Sequence, residues 1–508
     1  MKKLYTIVSL MLSSLSIMAT DFKDCSMAIK SNISTNIEKS NTTVSINGRT
    51  FSINGLKYDN TDLGNVELTN LQIIDGYSDG TMVYATSEPQ YITIGGEKVA
   101  ANFRGEVRNS KFRGILNLTI NGSNYIAMIG DKADELGQLP NAGFEEFHTA
   151  TVTIKDLLAP SGTFKSDEPN SWHSFQSATG SKKKYVGSSI DTYKEDNDKR
   201  TGSTDKRCVK IQSSIVKVVG IEKPANGTMT TGRLYAGSTS AIDPANNSTM
   251  DFADKDKDGN GDPFYPIFTT KPDAMTVWVK FKGNVKEHPY ATVKAILAND
   301  KVQDPEIDDY KKNVIARAAN AKIKSNNFAW QELNIPFKYE NKDTPKGMLV
   351  TISTNAEAGK ASSDKNNLDV IYVDDIAMIY NSGLKSAQYK NTNLSFADNK
   401  AAIEIEGKAN EADFSIASDG EGAYISKVLK TNEGETGKST LYINITSNDL
   451  QKSNCFEVAI TDKTATGIFN IKNDSNATSS TLYNLAGQQV SNSYKGIIIK
   501  NGKKYINK

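Results

Sequence analysis

Three aspartates at alternate positions are the clearest candidate for metal chemistry in this chain. Asp254, Asp256 and Asp258 precede Gly259 in the stretch FADKDKDGNGDPFYP, which matches the first half of a calcium-binding loop. Carboxylates spaced in this way on a tight turn direct their oxygens toward one hard cation. The second half of the pattern fails, because Tyr265 replaces the expected glutamate and two nearby prolines forbid the exiting helix. Two predictions stay open: a solvated turn, or a Ca²⁺ loop of another kind.

Motifs that imitate catalytic sequences do not fit their context. Gly76–Gly80 (GYSDG) matches the exposed-serine turn of hydrolases, but a strand-like segment follows where that turn needs a helix. Gly434–Thr440 (GETGKST) imitates a phosphate-binding loop, but Asn432 stands where the first glycine belongs. The chain has only three histidines, which are His148, His173 and His288. They lack zinc-ligand spacing and a paired nucleophile, so we predict surface or packing roles for them and no catalytic residue.

Strand patterning dominates the elements that must position any site. Alternating apolar residues flank Asn47-Gly48 and Asn121-Gly122, which are typical hairpin turns. Further on, long polar loops alternate with firm strands such as AMTVWVKFKG, and loops on a sheet scaffold usually carry the binding groups. Pro305–Ile323 is ambiguous between helix and strand. The sequence predicts an all-β, multi-domain protein.

Length, charge and the ends of the chain narrow the function classes. A chain of 508 residues needs several cores, and its net charge of +1 provides no field to recruit nucleic acid or anionic lipid. Lys2 and Lys3 precede the apolar run Leu4–Met18 and the small residue Ala19, which predicts a signal peptide over residues 1–19. Since no later segment approaches ~20 consecutive apolar residues, we expect an exported protein without a transmembrane segment.

Six ordered motifs in the middle of the chain resemble one known domain family. They are LPNAGFEEF, NSWHSF, GRLYAG, GDPFYPIFTTKPDAMTVWVKFKG, WQELNIPFKY and LDVIYVDDIAMIY. They resemble the carbohydrate-metabolism (PCMD) domain of exported Bacteroidetes proteins. The resemblance implies a jelly-roll β-sandwich, related to carbohydrate-binding modules, over residues 139–381.

The flanking segments resemble other modules. Residues 20–131 resemble a calycin-like, lipocalin-type β-barrel. Residues 384–462 look like an immunoglobulin-like sandwich, and residues 465–508 are similar to C-terminal sorting domains, with a last hairpin at Asn501-Gly502.

The jelly-roll resemblance also implies site residues. Related carbohydrate-binding jelly rolls hold a structural Ca²⁺ between an early glutamate and an aspartate of the last strand, which correspond here to Glu145 and Asp374. The alternative is that Asp374 and Asp375 only end a strand in solvent.

Aromatic residues are the natural candidates for sugar contact, because sugars pack their C–H faces on rings. Trp172, Phe264 and Tyr265 lie in polar loops and are the predicted contacts. Trp278 and Trp330 fall within alternating strands, where core packing is the favoured interpretation.

These observations favour a non-catalytic glycan-binding protein at the envelope of a Gram-negative bacterium, either on the surface or in the periplasm. Its expected partners are polysaccharides or oligosaccharides, together with outer-membrane or surface components. Two alternatives remain: a glycoside hydrolase or lyase that uses loop carboxylates, and a structural or adhesive surface protein whose β modules are spacers.

Overall fold

The computed structural model describes residues 20–200, 202–465, 481–500 and 503–507. Nearly all regular structure in them is strand, which confirms the predicted all-β, multi-domain class. The predicted signal peptide and the Asn501-Gly502 turn lie outside these residues. No helix in the described part of the chain is long and apolar enough to cross a membrane.

Ten strands between residues 20 and 129 form the N-terminal sheet. β1–β10 are Thr20–Ser31, Ser34–Asn47, Thr50–Tyr58, Thr61–Leu68, Gln72–Ile74, Met82–Ala85, Gln90–Ile94, Glu97–Arg108, Lys111–Ile120 and Ser123–Ile129. The sheet order is β4-β3-β2-β1-β10-β9-β8-β6-β5, with β7 on β8. The rings of Phe51 and Phe103 stack at 4.0 Å, so the sheet curls around one core. Its edge strands β4 and β5 share no ladder among the described residues, so a closed calycin-type barrel is not observed.

Seventeen strands and two single-turn helices make up the central sandwich, residues 139–380. Strands β11–β19 are Phe147–Ile154, Gly162–Pro169, Thr192–Glu195, Cys208–Gln212, Ser214–Val218, Ile221–Ala225, Thr228–Thr230, Arg233–Ala236 and Asn246–Met250. Strands β20–β27 are Ala274–Lys282, Ala291–Ala298, Val302–Asp304, Val314–Ile323, Gln331–Pro336, Lys338–Tyr339, Gly347–Ser353 and Val370–Ile379. The helices are α1, Lys183–Val186, and α2, Asp308–Lys311. The segment that was ambiguous in sequence therefore forms mainly strand β23.

Two five-stranded sheets enclose the core of the central sandwich. The front sheet has the order β13-β14-β27-β20-β24, and the back sheet has the order β17-β26-β21-β23-β25. In β20 the side chains of Met275, Val277, Val279 and Phe281 are all completely buried against the back sheet. Successive side chains of a strand point to opposite faces, so the residues between them point outward. This alternation determines what the outer face of the front sheet displays.

A second sandwich and a short sheet follow. Strands β28–β34 are Leu384–Tyr389, Thr392–Asn393, Lys400–Ile405, Phe414–Ser418, Tyr424–Thr431, Lys438–Thr446 and Ser453–Asp462. They form sheets β29-β28-β31 and β30-β34-β33-β32 around one core. The last sheet, β36-β35-β37-β38, uses β35–β38, which are Leu482–Asn484, Gln489–Val490, Gly496–Lys500 and Lys503–Asn507.

Hydrogen bonds tie the first three units together. The Tyr77 hydroxyl of the N-terminal unit donates to the Lys346 carbonyl oxygen at 2.8 Å. The Tyr424 hydroxyl of the C-terminal sandwich donates to the Thr86 carbonyl oxygen at 3.0 Å. Both tyrosine rings are buried, so these units pack through apolar surface with satisfied polar groups.

A buried carboxyl group just before β13 makes stability depend on pH. Asp191 is completely buried, and burial followed by the nearby Glu168 charge raises its pKa to about 7. Its oxygens accept hydrogen bonds from the Thr228 backbone N–H and the Thr192 hydroxyl. The folded state therefore favours the protonated group, and this contribution to stability is lost as the pH rises from about 4 to about 7.

We expect Asp191→Asn to reduce the loss of unfolding free energy between about pH 5 and about pH 8, because the amide cannot ionise. Urea unfolding of both proteins at the two pH values checks this. The exposed Asp309→Asn is the matched control and should behave as wild type. Equal pH dependence in wild type and Asp191→Asn would contradict the account.

Candidate functional site

The three aromatic residues predicted to contact sugar lie in the interior. Trp172 is completely buried; its indole N–H donates to the Pro140 carbonyl oxygen at 3.0 Å. Phe264 is 3% exposed and Tyr265 is 2% exposed. The Tyr265 hydroxyl lies 2.9 Å from the Ser78 hydroxyl oxygen, at the contact with the N-terminal unit. These rings pack the fold, and their positions offer no face to a sugar.

The Asp-rich stretch is an ordered loop whose carboxylates have separate partners. Asp254 and Asp256 both approach the Arg233 guanidinium, at 3.6 Å and 2.6 Å. Asp258 turns inward, where its Oδ2 lies 3.3 Å from His173 Nε2 and 3.7 Å from His148 Nε2. The structure therefore does not bring the three aspartates together as one set of metal ligands.

Two histidines from different segments, His148 and His173, lie against that loop. His173 is completely buried and His148 Nε2 lies 3.6 Å from Glu168 Oε2 as well as near Asp258. Burial acts to raise the pKa of Asp258, but hydrogen bonding and charge from His173 outweigh it and hold the pKa below its usual value. The cluster thus brings both imidazole rings against the inward-facing carboxyl group of the loop. The local sequence does not indicate this cluster, because its members come from four different segments.

The outer face of the front sheet carries several partly exposed aromatic residues. Trp278 and Trp330 were expected in the core, and that expectation is wrong: neither belongs to the buried cluster, and both are partly exposed. Trp278 lies between the inward-facing Val277 and Val279, so strand alternation directs it outward. The alternation of apolar residues in AMTVWVKFKG was the sequence signal that could have placed Trp278 on the outer face.

Cross-strand pairing aligns aromatic and lysine side chains in one line. Tyr193 pairs with Lys210, Lys210 pairs with Tyr372, and Tyr372 pairs with Lys280. Trp330 directly precedes β24, whose Gln331 pairs with Val279, and so it stands next to Lys280. All five side chains of this line are partly exposed. We call Tyr193, Lys210, Tyr372, Lys280 and Trp330 the aromatic row.

Ring and cation contacts hold the row in place. The Tyr372 ring lies 5.8 Å from the Phe328 ring and 6.4 Å from the Trp330 ring, both edge-on. Lys280 Nζ lies 4.3 Å from the centre of the Phe328 ring and 5.2 Å from that of Tyr372. The rings are therefore fixed by the sheet and by each other, which limits the side-chain entropy that a ligand would have to offset.

The β13–β14 loop, described over residues 196–200 and 202–207, covers the neighbouring part of the same face. Asp198 binds the Lys280 ammonium group through Oδ2 and accepts a hydrogen bond from the Trp330 indole N–H at 3.2 Å through Oδ1. Arg200 pairs with Asp375, and its guanidinium carbon lies 5.0 Å from the centre of the Trp278 ring. The loop thus contacts both the aromatic row and the aspartates of β27.

Asp205, from the same loop, joins Asp374 and Asp375 in a carboxylate cluster. In the described part of the chain this is the only group of three or more His, Cys, Asp or Glu whose ligand atoms all lie within 4.8 Å of one another. Asp374 is completely buried, and its Oδ2 has no hydrogen-bond partner. Burial and then the Asp375 charge raise the pKa of Asp374 to about 7, while burial and then Asp375 raise that of Asp205 to about 6.

A β-bulge explains how two successive aspartates reach one cluster. Side chains of neighbouring strand residues normally point to opposite faces. The pairing of β20 with β27 shifts between Thr276 and Trp278, and Asp375 has a positive φ of 44°. The extra residue in β27 redirects the Asp375 side chain, as bulges do.

Glu145, the predicted partner of Asp374, lies beside this cluster but is not among its three close members. Its Oε1 accepts the backbone N–H groups of Lys206 and Arg207 at 2.8 and 3.1 Å. Its charge contributes to raising the pKa of Asp205. Glu145 therefore holds the loop segment that delivers Asp205. Sequence reasoning missed Asp205, because nothing in its local sequence links it to β27.

In comparisons with known proteins, no family model, curated protein or solved structure matches the chain. The fold and site define a multi-domain β protein whose central sandwich presents an aromatic sheet face beside a carboxylate cluster.

We expect Trp172→Ala to lower the free energy of unfolding by about 3–5 kcal/mol, because it removes a fully buried ring from the core. Trp330→Ala, at a partly exposed position, should cost about 1 kcal/mol or less. Urea unfolding of both variants measures the difference, and Trp172→Phe serves if the alanine variant does not fold. Equal costs for the two tryptophans would contradict their assigned positions.

Proposed function

We propose that the protein binds glycans on the outer face of its front sheet, through the aromatic row. The observation that carries this proposal is the line of partly exposed rings, Tyr193, Tyr372 and Trp330, set by cross-strand pairing. Pyranose rings pack their C–H faces on such side chains, while nearby polar groups bind the hydroxyls.

The dimensions of the row suit an oligosaccharide better than a single sugar. It crosses five strand positions, which at the usual strand spacing corresponds to roughly 19 Å. Lys210, Lys280 and Asp198 supply donors and acceptors along its length. Polar groups lie beside the rings along the whole row. An extended glycan can therefore repeat the same two contacts, stacking on a ring and hydrogen bonding to a polar side chain.

Binding is favoured over hydrolysis by the state of Asp198, the carboxylate that is paired with the row. Glycoside hydrolysis uses two carboxylates about 5–10 Å apart, one of them available as a proton donor. Asp198 contacts the row, and both its oxygens already serve Lys280 and Trp330. We therefore propose a non-catalytic role.

The same proposal includes a cellular location, which is export to the cell envelope. The charged and then apolar beginning of the chain supports export, and the resemblance to exported Bacteroidetes domains supports a place at the cell envelope. There the protein would capture polysaccharide or oligosaccharide for carbohydrate use, alongside surface or outer-membrane partners.

The carboxylate cluster is a candidate Ca²⁺ site that would support this face. Ca²⁺ prefers carboxylate oxygens, and a buried unpartnered carboxylate oxygen such as Asp374 Oδ2 is costly without a counter-charge. Asp205, Asp374 and Asp375 would hold the ion, and Glu145 would fix the loop that carries Asp205. The ion would supply the positive charge that relieves repulsion among the three aspartates.

Replacing Trp330 or Tyr372 by alanine should weaken glycan binding at least about tenfold, or about 1.4 kcal/mol, because each removes a stacking surface. A glycan array identifies a ligand, and calorimetry measures the affinity. Tyr235→Ala, a 41% exposed tyrosine on β18, is the matched control and should bind as wild type. Failure of the folded protein to bind any glycan, or an equal loss in the control, would overturn the proposal.

Chelation should lower the melting temperature of the wild-type protein, and Asp374→Asn should abolish that sensitivity by removing a ligand and a buried charge. Asp256→Asn is the matched control, since it alters the Asp-rich loop and leaves the cluster intact. Differential scanning calorimetry with Ca²⁺ or with chelator measures both. An unchanged wild-type melting curve would contradict Ca²⁺ binding. Loss of the chelator effect in Asp256→Asn but not in Asp374→Asn would instead place the ion at the Asp-rich loop.

A further inference from the structure

We propose that the protein docks on a lipid bilayer with anionic headgroups through three neighbouring hairpin tips of its central sandwich. The tips are residues 155–161 between β11 and β12, residues 219–221 at the β15–β16 turn, and residues 237–245 between β18 and β19. We call these three segments the apolar tips. The inference is independent of the proposed glycan binding, because none of its residues belongs to the aromatic row.

Each of the apolar tips exposes large hydrophobic side chains to solvent. Leu157 is completely exposed, and four others are each more than half exposed, namely Leu158, Val219, Ile221 and Ile242. Single exposed apolar residues are ordinary at a protein surface, but several on neighbouring turns are not. The group therefore indicates a surface that another apolar phase covers.

The short helix α1 brings the apolar tips together. Lys184 of α1 binds Asp156 of the first tip at 2.7 Å. The same helix packs on β15 and β18, the strands that lead into the other two tips. Lys223 of the β15–β16 hairpin donates to the Thr239 carbonyl oxygen of the third tip at 3.4 Å. The tips are therefore neighbours, although they come from three separate hairpins.

Polar groups hold the first tip in shape, so its leucines are not needed for the turn itself. Asp156 Oδ1 accepts the Leu158 backbone N–H at 2.7 Å, while Oδ2 forms the ion pair with Lys184. The Ser161 hydroxyl donates to the Asp156 carbonyl oxygen at 2.6 Å and closes the turn. Because the tip is already ordered, docking costs it little conformational entropy.

The backbone of the second tip also shows that its valine is not selected by the turn. Val219 precedes Gly220 in a two-residue hairpin turn and has a positive φ of 50°. Such turns favour asparagine or aspartate at this position, because a β-branched side chain is crowded in the left-handed region. The stability of the turn does not account for a valine, whereas a role for its exposed apolar side chain does.

Basic side chains outnumber acidic ones around the apolar tips. Within residues 155–161, 182–186, 217–223 and 237–245, the lysines are Lys155, Lys182, Lys183, Lys184, Lys217 and Lys223, and the carboxylates are Asp156, Glu222 and Asp243. Asp156 is paired with Lys184, and Glu222 is paired with Lys365 at 2.6 Å. The adjoining residues 357–365 add two charges of each sign. The local excess of positive charge thus exists although the net charge of the whole chain is only +1.

A lipid bilayer with anionic headgroups suits this combination better than a folded partner. A protein interface buries one continuous patch with a desolvated core, whereas these apolar side chains stand on three separate turns. The boundary between headgroups and acyl chains accepts separate apolar groups, and anionic headgroups attract the lysines around them. Attachment of this kind is peripheral and needs no membrane-spanning segment.

Flotation of the full chain with lipid vesicles tests the docking. The probes are vesicles of phosphatidylethanolamine with phosphatidylglycerol, and zwitterionic vesicles of phosphatidylcholine as the reference. We expect at least about tenfold tighter binding to the anionic vesicles, and weaker binding as salt is raised. Since residues 4–18 are also apolar, the decisive readout is the difference between variants of the same chain.

Three variants separate the apolar contacts from a general loss of folding. Replacing both Leu157 and Leu158 by serine should weaken vesicle binding at least about tenfold, because it removes two inserted side chains. Val219→Asn should also weaken vesicle binding, but its melting temperature should be unchanged or higher, because asparagine suits the turn. Ile37→Ser, at a 59% exposed residue of the N-terminal unit, is the matched control and should bind as wild type.

The possible outcomes decide between a bilayer and other occupants of the apolar tips. Equal binding of wild type and the double leucine variant to anionic vesicles would overturn the proposal, as would an equal loss in Ile37→Ser. Absence of vesicle binding by the folded protein would also overturn it. Self-association that the double variant abolishes, without vesicle binding, would assign the tips to a second copy of the chain instead.

Discussion

Burial of every second side chain of the front sheet is the constraint on which the rest of the site depends. Met275, Val277, Val279 and Phe281 of β20 fill the core against the back sheet, and each is inaccessible to solvent. Because a strand cannot turn one residue without turning its neighbours, this packing fixes the outward direction of Trp278 and Lys280. Pairing with β27 and β14 then aligns Tyr372, Lys210 and Tyr193 on the same face. The proposed binding surface is therefore the outer face of the sheet whose inner face forms the core.

One loop connects the two candidate sites. The β13–β14 loop sends Asp198 to the aromatic row, Arg200 to Asp375 and Asp205 to the carboxylate cluster. An ion among the aspartates would alter the partner of Arg200, which also contacts the Trp278 ring. Ion and glycan would therefore act on the same short segment, and by linkage each would affect the affinity of the other.

Sequence predicted the elements better than it predicted the site. Alternation and turn dipeptides were sufficient for the all-β class, since they depend on local chemistry. Burial of Trp172, Phe264 and Tyr265 was missed because polar neighbours in sequence concealed apolar neighbours from distant strands and from the N-terminal unit. The metal role of Asp374 stays a prediction, and the acidic cluster around it depends on Asp205 and on the bulge that turns Asp375, which are products of tertiary structure. The closed barrel expected of the N-terminal unit likewise depended on strand closure, which patterning does not encode.

Hydroxyl-radical footprinting with a bound glycan tests the central claim most directly, because it reports which side chains a ligand covers. We expect Tyr193, Tyr372 and Trp330 to become protected, while Tyr235 on β18 keeps its reactivity. Protection confined to another surface, with the three rings of the row as reactive as in the free protein, would contradict it.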